Sequence, residues 1–168
     1  MSGLVRGIAC LLAATCAAAP GLRPALAAAS AGAASRIALD VTIASVHARH
    51  SLNDFNPGIG LEMRIAPGLS LAGGIYRNSY RRTSGYAVVG YTPWRLLQRH
   101  GWAGRLGVAA GLIGGYRTSE VRTQPLLAGL LFELRDPAGW GINLLGVPPA
   151  GHGSGFAGLQ LVVPLGGG

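Results

Sequence analysis

Lysine is absent from this chain, and acids are scarce: 14 arginines face only 6 Asp and Glu, for a formal charge of +8. A basic balance raises nucleic acid as a partner first. Here the arginines are spread along an apolar chain rather than gathered on a polar one, so no nucleic-acid partner is expected. Long hydrophobic runs are missing too. After about residue 30 no stretch reaches the roughly eighteen apolar residues of a spanning helix, which excludes a polytopic helical membrane protein. Three Phe among 28 Gly would suit a disordered chain, but 49% hydrophobic residues and a mean hydropathy of +0.38 are too apolar for one. A chain of 168 residues is long enough for one domain with a core. No His, Cys, Asp and Glu occur at metal-ligand spacing, so neither a metal nor a cofactor is expected.

Cysteine occurs twice, as Cys10 and Cys16, and both lie in a stretch that reads as a processing signal. Arg6 precedes an apolar centre over 7–19, and Ala25-Leu26-Ala27 supplies small residues at the spacing a signal peptidase needs. The expected organisation is a signal peptide over 1–27, a short linker over 28–36 and a single domain over 37–168. Cleavage after Ala27 leaves an exported chain with no cysteine and hence no disulfides.

From residue 37 onward hydrophobicity alternates with a period of two. Ile37, Leu39, Val41 and Ile43 share one face, opposite Ala38, Asp40, Thr42 and Ala44. Ile59, Leu61, Met63 and Ile65 alternate with Gly58, Gly60, Glu62 and Arg64. Further strands are predicted over 69–77, 83–94, around 105–112, and over 125–135, 140–147 and 156–165. The Gly-rich run 111–115 reads as strand packing toward a lumen, because no helix follows it to make a phosphate cradle. Eight strands joined in sequence predict an all-β fold, an eight-stranded antiparallel transmembrane β-barrel of the bacterial outer membrane. Closure satisfies every backbone N–H and C=O, which hydrocarbon demands. A secreted sandwich or lipocalin-like barrel would expose fewer apolar residues and carry more charge. A monomer is expected.

With the N-terminus periplasmic, 66–68, 95–101 and 135–139 become periplasmic turns, while loops near 48–56, 77–84, 116–124 and 147–155 face outward. Arg49, Arg77, Arg81, Arg82, Arg117 and Arg122 fall in or beside those loops, with only Asp54 and Glu120 as acids. Arginine pairs bidentately with phosphate, so Arg49, Arg77, Arg81 and Arg82 are expected to hold the phosphates of lipid A in lipopolysaccharide. Pro57, Pro125 and Pro148 stand at or near outer strand ends, where each removes a ladder hydrogen bond and lets neighbouring strands part.

The order of these segments resembles one family. His47-Ala48-Arg49, then Asn56-Pro57-Gly58, then Tyr76-Arg77-Asn78-Ser79-Tyr80 are similar to the lipid A palmitoyltransferases, outer-membrane barrel enzymes. Gly90-Tyr91, Trp94-Arg95, the 106–111 segment, Gln124-Pro125-Leu126-Leu127 and Val147-Pro148 follow in the same order. The resemblance covers about residues 41–165. It implies transfer of an acyl chain from a phospholipid to lipid A, lateral lipid entry at Pro57, Pro125 and Pro148, and a site made of His47, Ser79 and Asn78. Asn78 stands where the family has an aspartate. Acyl transfer needs a base near a hydroxyl, which assigns His47 as base to Ser79 or to the acceptor sugar hydroxyl; His50 is the alternative histidine. The alternative function is a non-catalytic barrel that binds lipid or lipopolysaccharide. A deacylase is hinted at only by His152 beside Ser154.

Overall fold

The computed structural model describes residues 36–48, 52–121, 123–149 and 155–165. The signal peptide, nearly all of the linker, and Arg49, His50, Arg122, His152 and Ser154 lie outside the described residues. Eight strands follow one another: β1 (Arg36–His47), β2 (Phe55–Ala66), β3 (Leu69–Arg77), β4 (Thr83–Arg99), β5 (Trp102–Ile113), β6 (Leu126–Arg135), β7 (Gly141–Val147) and β8 (Phe156–Leu165). Each pairs antiparallel with the next, and β8 pairs with β1 to close the barrel.

The two faces of the alternating pattern separate cleanly, with the apolar one outside. Ile37, Ile59, Leu61, Ile75, Val108, Leu130 and Leu161 are exposed on the barrel surface, whereas Asp40, Glu62, Ser70, Thr92, Glu133, Arg135 and Asn143 are buried. A soluble barrel has the opposite arrangement. Toward the end carrying the short hairpins, here the turn end, the lumen is filled by charge. Arg135 donates to both oxygens of Glu62 (3.2 and 3.1 Å) and to Asn143 (2.6 Å). Asn143 in turn donates to Glu62 at 2.9 Å, and Thr92 donates to Glu133 at 2.9 Å. This pairing offsets the desolvation of these charges, whereas Asp40, buried in the same lumen, has no hydrogen-bond partner among the described residues for either carboxylate oxygen.

Three features differ from the strand pattern expected from sequence. β4 continues to Arg99 instead of stopping near residue 94, because it stays paired with β5 as far as Arg99 opposite Trp102. The chain then reverses at His100 (φ 50°) and Gly101 (φ 83°), the left-handed pair a tight hairpin requires. β5 ends at Ile113, so Gly114 and Gly115 belong to the following loop rather than to the strand.

The third difference lies in β1. Its register jumps between Thr42 and Ala44 against both neighbours, β2 and β8. A bulge of this kind exchanges the two faces beyond it. Ala44 therefore leaves the face of Ala38, Asp40 and Thr42 and pairs with Leu159, Ser45 is buried, and Val46 is 68% exposed. The next residue turned inward is His47.

Candidate functional site

At the opposite, loop end of the barrel, the bulge in β1 brings His47 inward, with only 7% of its side chain exposed. Its ring packs against Phe156, centroids 5.9 Å apart. Nε2 of His47 lies 2.7 Å from the Ser79 hydroxyl, and Nδ1 lies 3.1 Å from Oδ1 of Asp54. An ionised carboxylate only accepts, so Nδ1 carries the proton and Nε2 is left to accept from Ser79. Asp54, Ser79 and His47 come from two loops and a strand end. They are tied together by backbone bonds from Ser45 N to Asp54 O (2.9 Å) and from Asn53 N to Ser79 O (3.3 Å). The result is a serine, a base bonded to it and a carboxylate orienting the base, the arrangement that activates a nucleophile.

Asn78 has a different place. It is fully buried, and its amide donates to Ser84 Oγ (2.9 Å) and to the Gly115 carbonyl (3.0 Å). Its Oδ1 accepts from the backbone N–H groups of Tyr80 and Arg82, both at 3.0 Å. Its bonds thus shape the 78–82 loop that presents Ser79 and join it to the loop after β5. The group on the second nitrogen of His47 is Asp54. In the sequence Asp54 is simply an acid in the loop near 48–56, with no motif that marks it. Its position seven residues beyond His47, across the first loop, does not by itself specify the contact.

The β3–β4 and β5–β6 loops are held as one lid by polar and aromatic contacts. Arg82 pairs with Glu120, donates from Nε to the Gly115 carbonyl at 3.4 Å, and lies 5.5 Å over the Tyr80 ring. Tyr116 bonds the Tyr76 hydroxyl at 2.9 Å and packs edge-on against Tyr80. Burial pushes the Tyr116 phenol up, so it acts as a neutral hydroxyl. Desolvation works against the Glu120 carboxylate, but the Arg117 backbone N–H and the Arg82 guanidinium outweigh it and hold the group below its ordinary 4.5. A depressed carboxyl contributes fully above its unfolded value and loses that contribution as pH falls through its folded one. Amide protection around Glu120 is therefore expected to be equal at about pH 7 and pH 5.5 and to drop only once the pH has fallen below 4.5 and passes through the lowered folded value. Unchanged protection factors below that value would remove the clamp.

The other expected site residues are distributed as follows. Arg82 is engaged by Glu120. Arg77 and Arg81 are exposed, and among the described residues no carboxylate pairs with either. Arg81 is held at φ 62° by the tight 78–82 turn. Pro57 sits in β2 opposite the β1 bulge, and β2–β3 pairing stops at Gly58 opposite Tyr76. Pro125 immediately precedes β6, its carbonyl accepting from Ile113 N at 2.7 Å, and Pro148 immediately follows β7. Only Pro57 is close in sequence to a residue touching the serine. Outside the barrel an open groove of about 350 Å³ runs along Pro57, Ile59, Ile75, Arg77 and Thr83. Among the described residues no three His, Cys, Asp or Glu side chains gather as metal ligands would. No family model and no curated protein matches this chain.

Proposed function

We propose that this protein is an outer-membrane acyltransferase that takes an acyl chain from a phospholipid ester and delivers it to a hydroxyl of lipid A. The observation that carries the reading is the 2.7 Å contact between His47 Nε2 and the Ser79 hydroxyl, backed by Asp54 on Nδ1. The apolar exterior and polar lumen suit a barrel whose surface meets lipid. The short hairpins then face the periplasm and the lid faces outward, where lipopolysaccharide lies.

The chemistry follows from these three side chains. Ser79 Oγ attacks the ester carbonyl carbon as its proton passes to His47 Nε2, and the carbonyl π pair moves onto oxygen. Asp54 stabilises the imidazolium that forms. When the tetrahedral species collapses, the bond to the glycerol oxygen breaks and that oxygen takes the proton from His47. The acyl chain is left on Ser79. An acceptor hydroxyl then gives its proton to His47 and attacks the acyl-serine, and collapse returns the proton to Ser79. With water as acceptor the same steps would be hydrolysis.

Lipid A from cells carrying the gene is expected to contain species heavier by one acyl chain than lipid A from a deletion strain, by mass spectrometry. The purified, refolded barrel is expected to make the same species from dipalmitoyl phosphatidylethanolamine and lipid A in mixed micelles. Identical spectra from both strains, with no transfer in micelles, would overturn the proposal.

Arg77 and Arg81 serve in this reading to hold lipid A phosphate, since Arg82 is already paired. The double substitution of Arg77 and Arg81 by alanine is expected to reduce lipopolysaccharide co-purification several-fold, with the wild type approaching the variant as salt rises, because exposed charge pairing is screened. Equal lipopolysaccharide on both proteins at every salt concentration would leave these arginines without that role.

A further inference from the structure

We infer that Asn56 is the oxyanion donor of this site, its side-chain amide bonding the oxygen that becomes negative when Ser79 adds to an ester. The inference rests on the reading of Ser79 as nucleophile and adds a residue that neither the sequence nor the resemblance singled out for chemistry.

Asn56 is 2% exposed, a low value for a polar side chain that needs several partners. Its neighbour Pro57 has no N–H to offer the facing strand. The Asn56 amide occupies that gap, donating from Nδ2 to the Arg77 carbonyl at 3.0 Å, while Oδ1 accepts from the Ser45 hydroxyl. The Arg77 carbonyl fixes which end of the amide is which, because a flipped Oδ1 would face another acceptor. The same Nδ2 lies 3.5 Å from Ser79 Oγ.

An amide nitrogen has two hydrogens, and one is spent on Arg77. The other faces Ser79 at a separation too long for a good bond, and the serine hydroxyl already has His47 as its acceptor. The donor is therefore only loosely engaged before reaction. Once Oγ bonds to a carbonyl carbon, the oxyanion stands one bond farther out. An oxyanion donor has to lie about 2.7–3.1 Å from that later position, not from any ground-state atom. A bond made only in the transition state raises kcat without tightening substrate binding. Ser45 acts through Asn56 as a positioning residue. It is turned inward by the same β1 bulge that turns in His47.

The test uses the full refolded barrel with a medium-chain p-nitrophenyl ester and its thionoester, in which sulfur, a poor hydrogen-bond acceptor, replaces the carbonyl oxygen. Retention of wild-type heat-modifiable migration certifies folding of each variant, and Asn56→Ser is used if Asn56→Ala does not fold. Asn56→Ala is expected to lower kcat on the ester by about 10²–10³-fold with KM nearly unchanged. Its ester-to-thionoester rate ratio should collapse relative to wild type, and Ser45→Ala should lose activity only a few-fold. A purely structural role for Asn56 would lower both rates together and leave the ratio at its wild-type value. Ser79-dependent turnover with an unchanged ratio, or with kcat retained, overturns the inference alone. Absence of Ser79-dependent turnover in the wild type on both this ester and phospholipid overturns the acyl-transfer reading, and the inference falls with it.

Discussion

Ser79→Ala and His47→Ala are each expected to lower acyl transfer by about 10⁴-fold or more, and the double variant should be little worse than either single one. The two side chains act on one proton, so removing either disables the step that both serve. KM for phospholipid should change little, because neither group holds the lipid before reaction. Asp54→Asn is expected to cost less, on the order of 10²-fold, against about 10⁴ for the buried aspartate of a serine protease triad. The difference comes from exposure: the Asp54 side chain is 61% accessible, and water already screens much of its field at the imidazole. What the amide loses is mainly the tautomer, since it can donate to Nδ1 as readily as accept from it. Single-turnover transfer from radiolabelled phospholipid measures all four proteins. Full activity in Ser79→Ala would show the acceptor hydroxyl to be the only nucleophile, and full activity in His47→Ala would remove the site.

How much of this was legible in the sequence depends on the period of two. Wherever the alternation ran unbroken, as over Ile59–Ile65 or Leu106–Leu112, strand and facing followed from the residues alone, because a side chain on one face repeats every second position. The closed eight-stranded order followed from the same pattern. His47 and Ser79 were reached through the resemblance. Their juxtaposition depends on the register of β1, and one bulge between Thr42 and Ala44 decides whether His47 points into or out of the barrel. Unbroken alternation from Ile37 would place it outward with Ile43. A bulge leaves little trace in composition, apart from small and mildly polar residues around it that tolerate either side.

Asp54 and Asn56 were missed for a related reason. Both contacts cross a loop or a strand end, and nothing in the spacing of His47, Asp54, Asn56 and Ser79 specifies which polar atoms meet. Arginines were easier to find than to assign. The count of cations in the outer loops could be read directly, but the commitment of Arg82 to Glu120 joins positions 38 residues apart on different loops. Such a pairing takes Arg82 out of the unpaired loop cations while it fastens the two loops together.

Asn78→Asp is expected to destabilise the barrel and lower its activity, although by resemblance an aspartate at this position is the family's catalytic form. The substitution keeps the shape of the side chain and keeps the acceptor for Tyr80 N and Arg82 N. It removes both donors. Ser84 can rotate its hydroxyl to donate to the new carboxylate, so that contact survives. The Gly115 carbonyl, 3.0 Å away, cannot change role and would face a buried negative oxygen. One lost donor costs about 1–3 kcal/mol, and burying a charge without a cation at hydrogen-bonding distance adds to it. A total of about 3 kcal/mol is expected from urea unfolding in liposomes, carried mainly by the loop that presents Ser79. Turnover of the folded fraction should fall as well, because the 78–82 turn sets the position of the Ser79 hydroxyl against His47, and a near-attack geometry tolerates little displacement. Here His47 already has its carboxylate in Asp54, so a second one has no nitrogen to orient. A rise in turnover on Asn78→Asp, with Asp54→Asn silent, would transfer the orienting role to position 78 and remove it from Asp54.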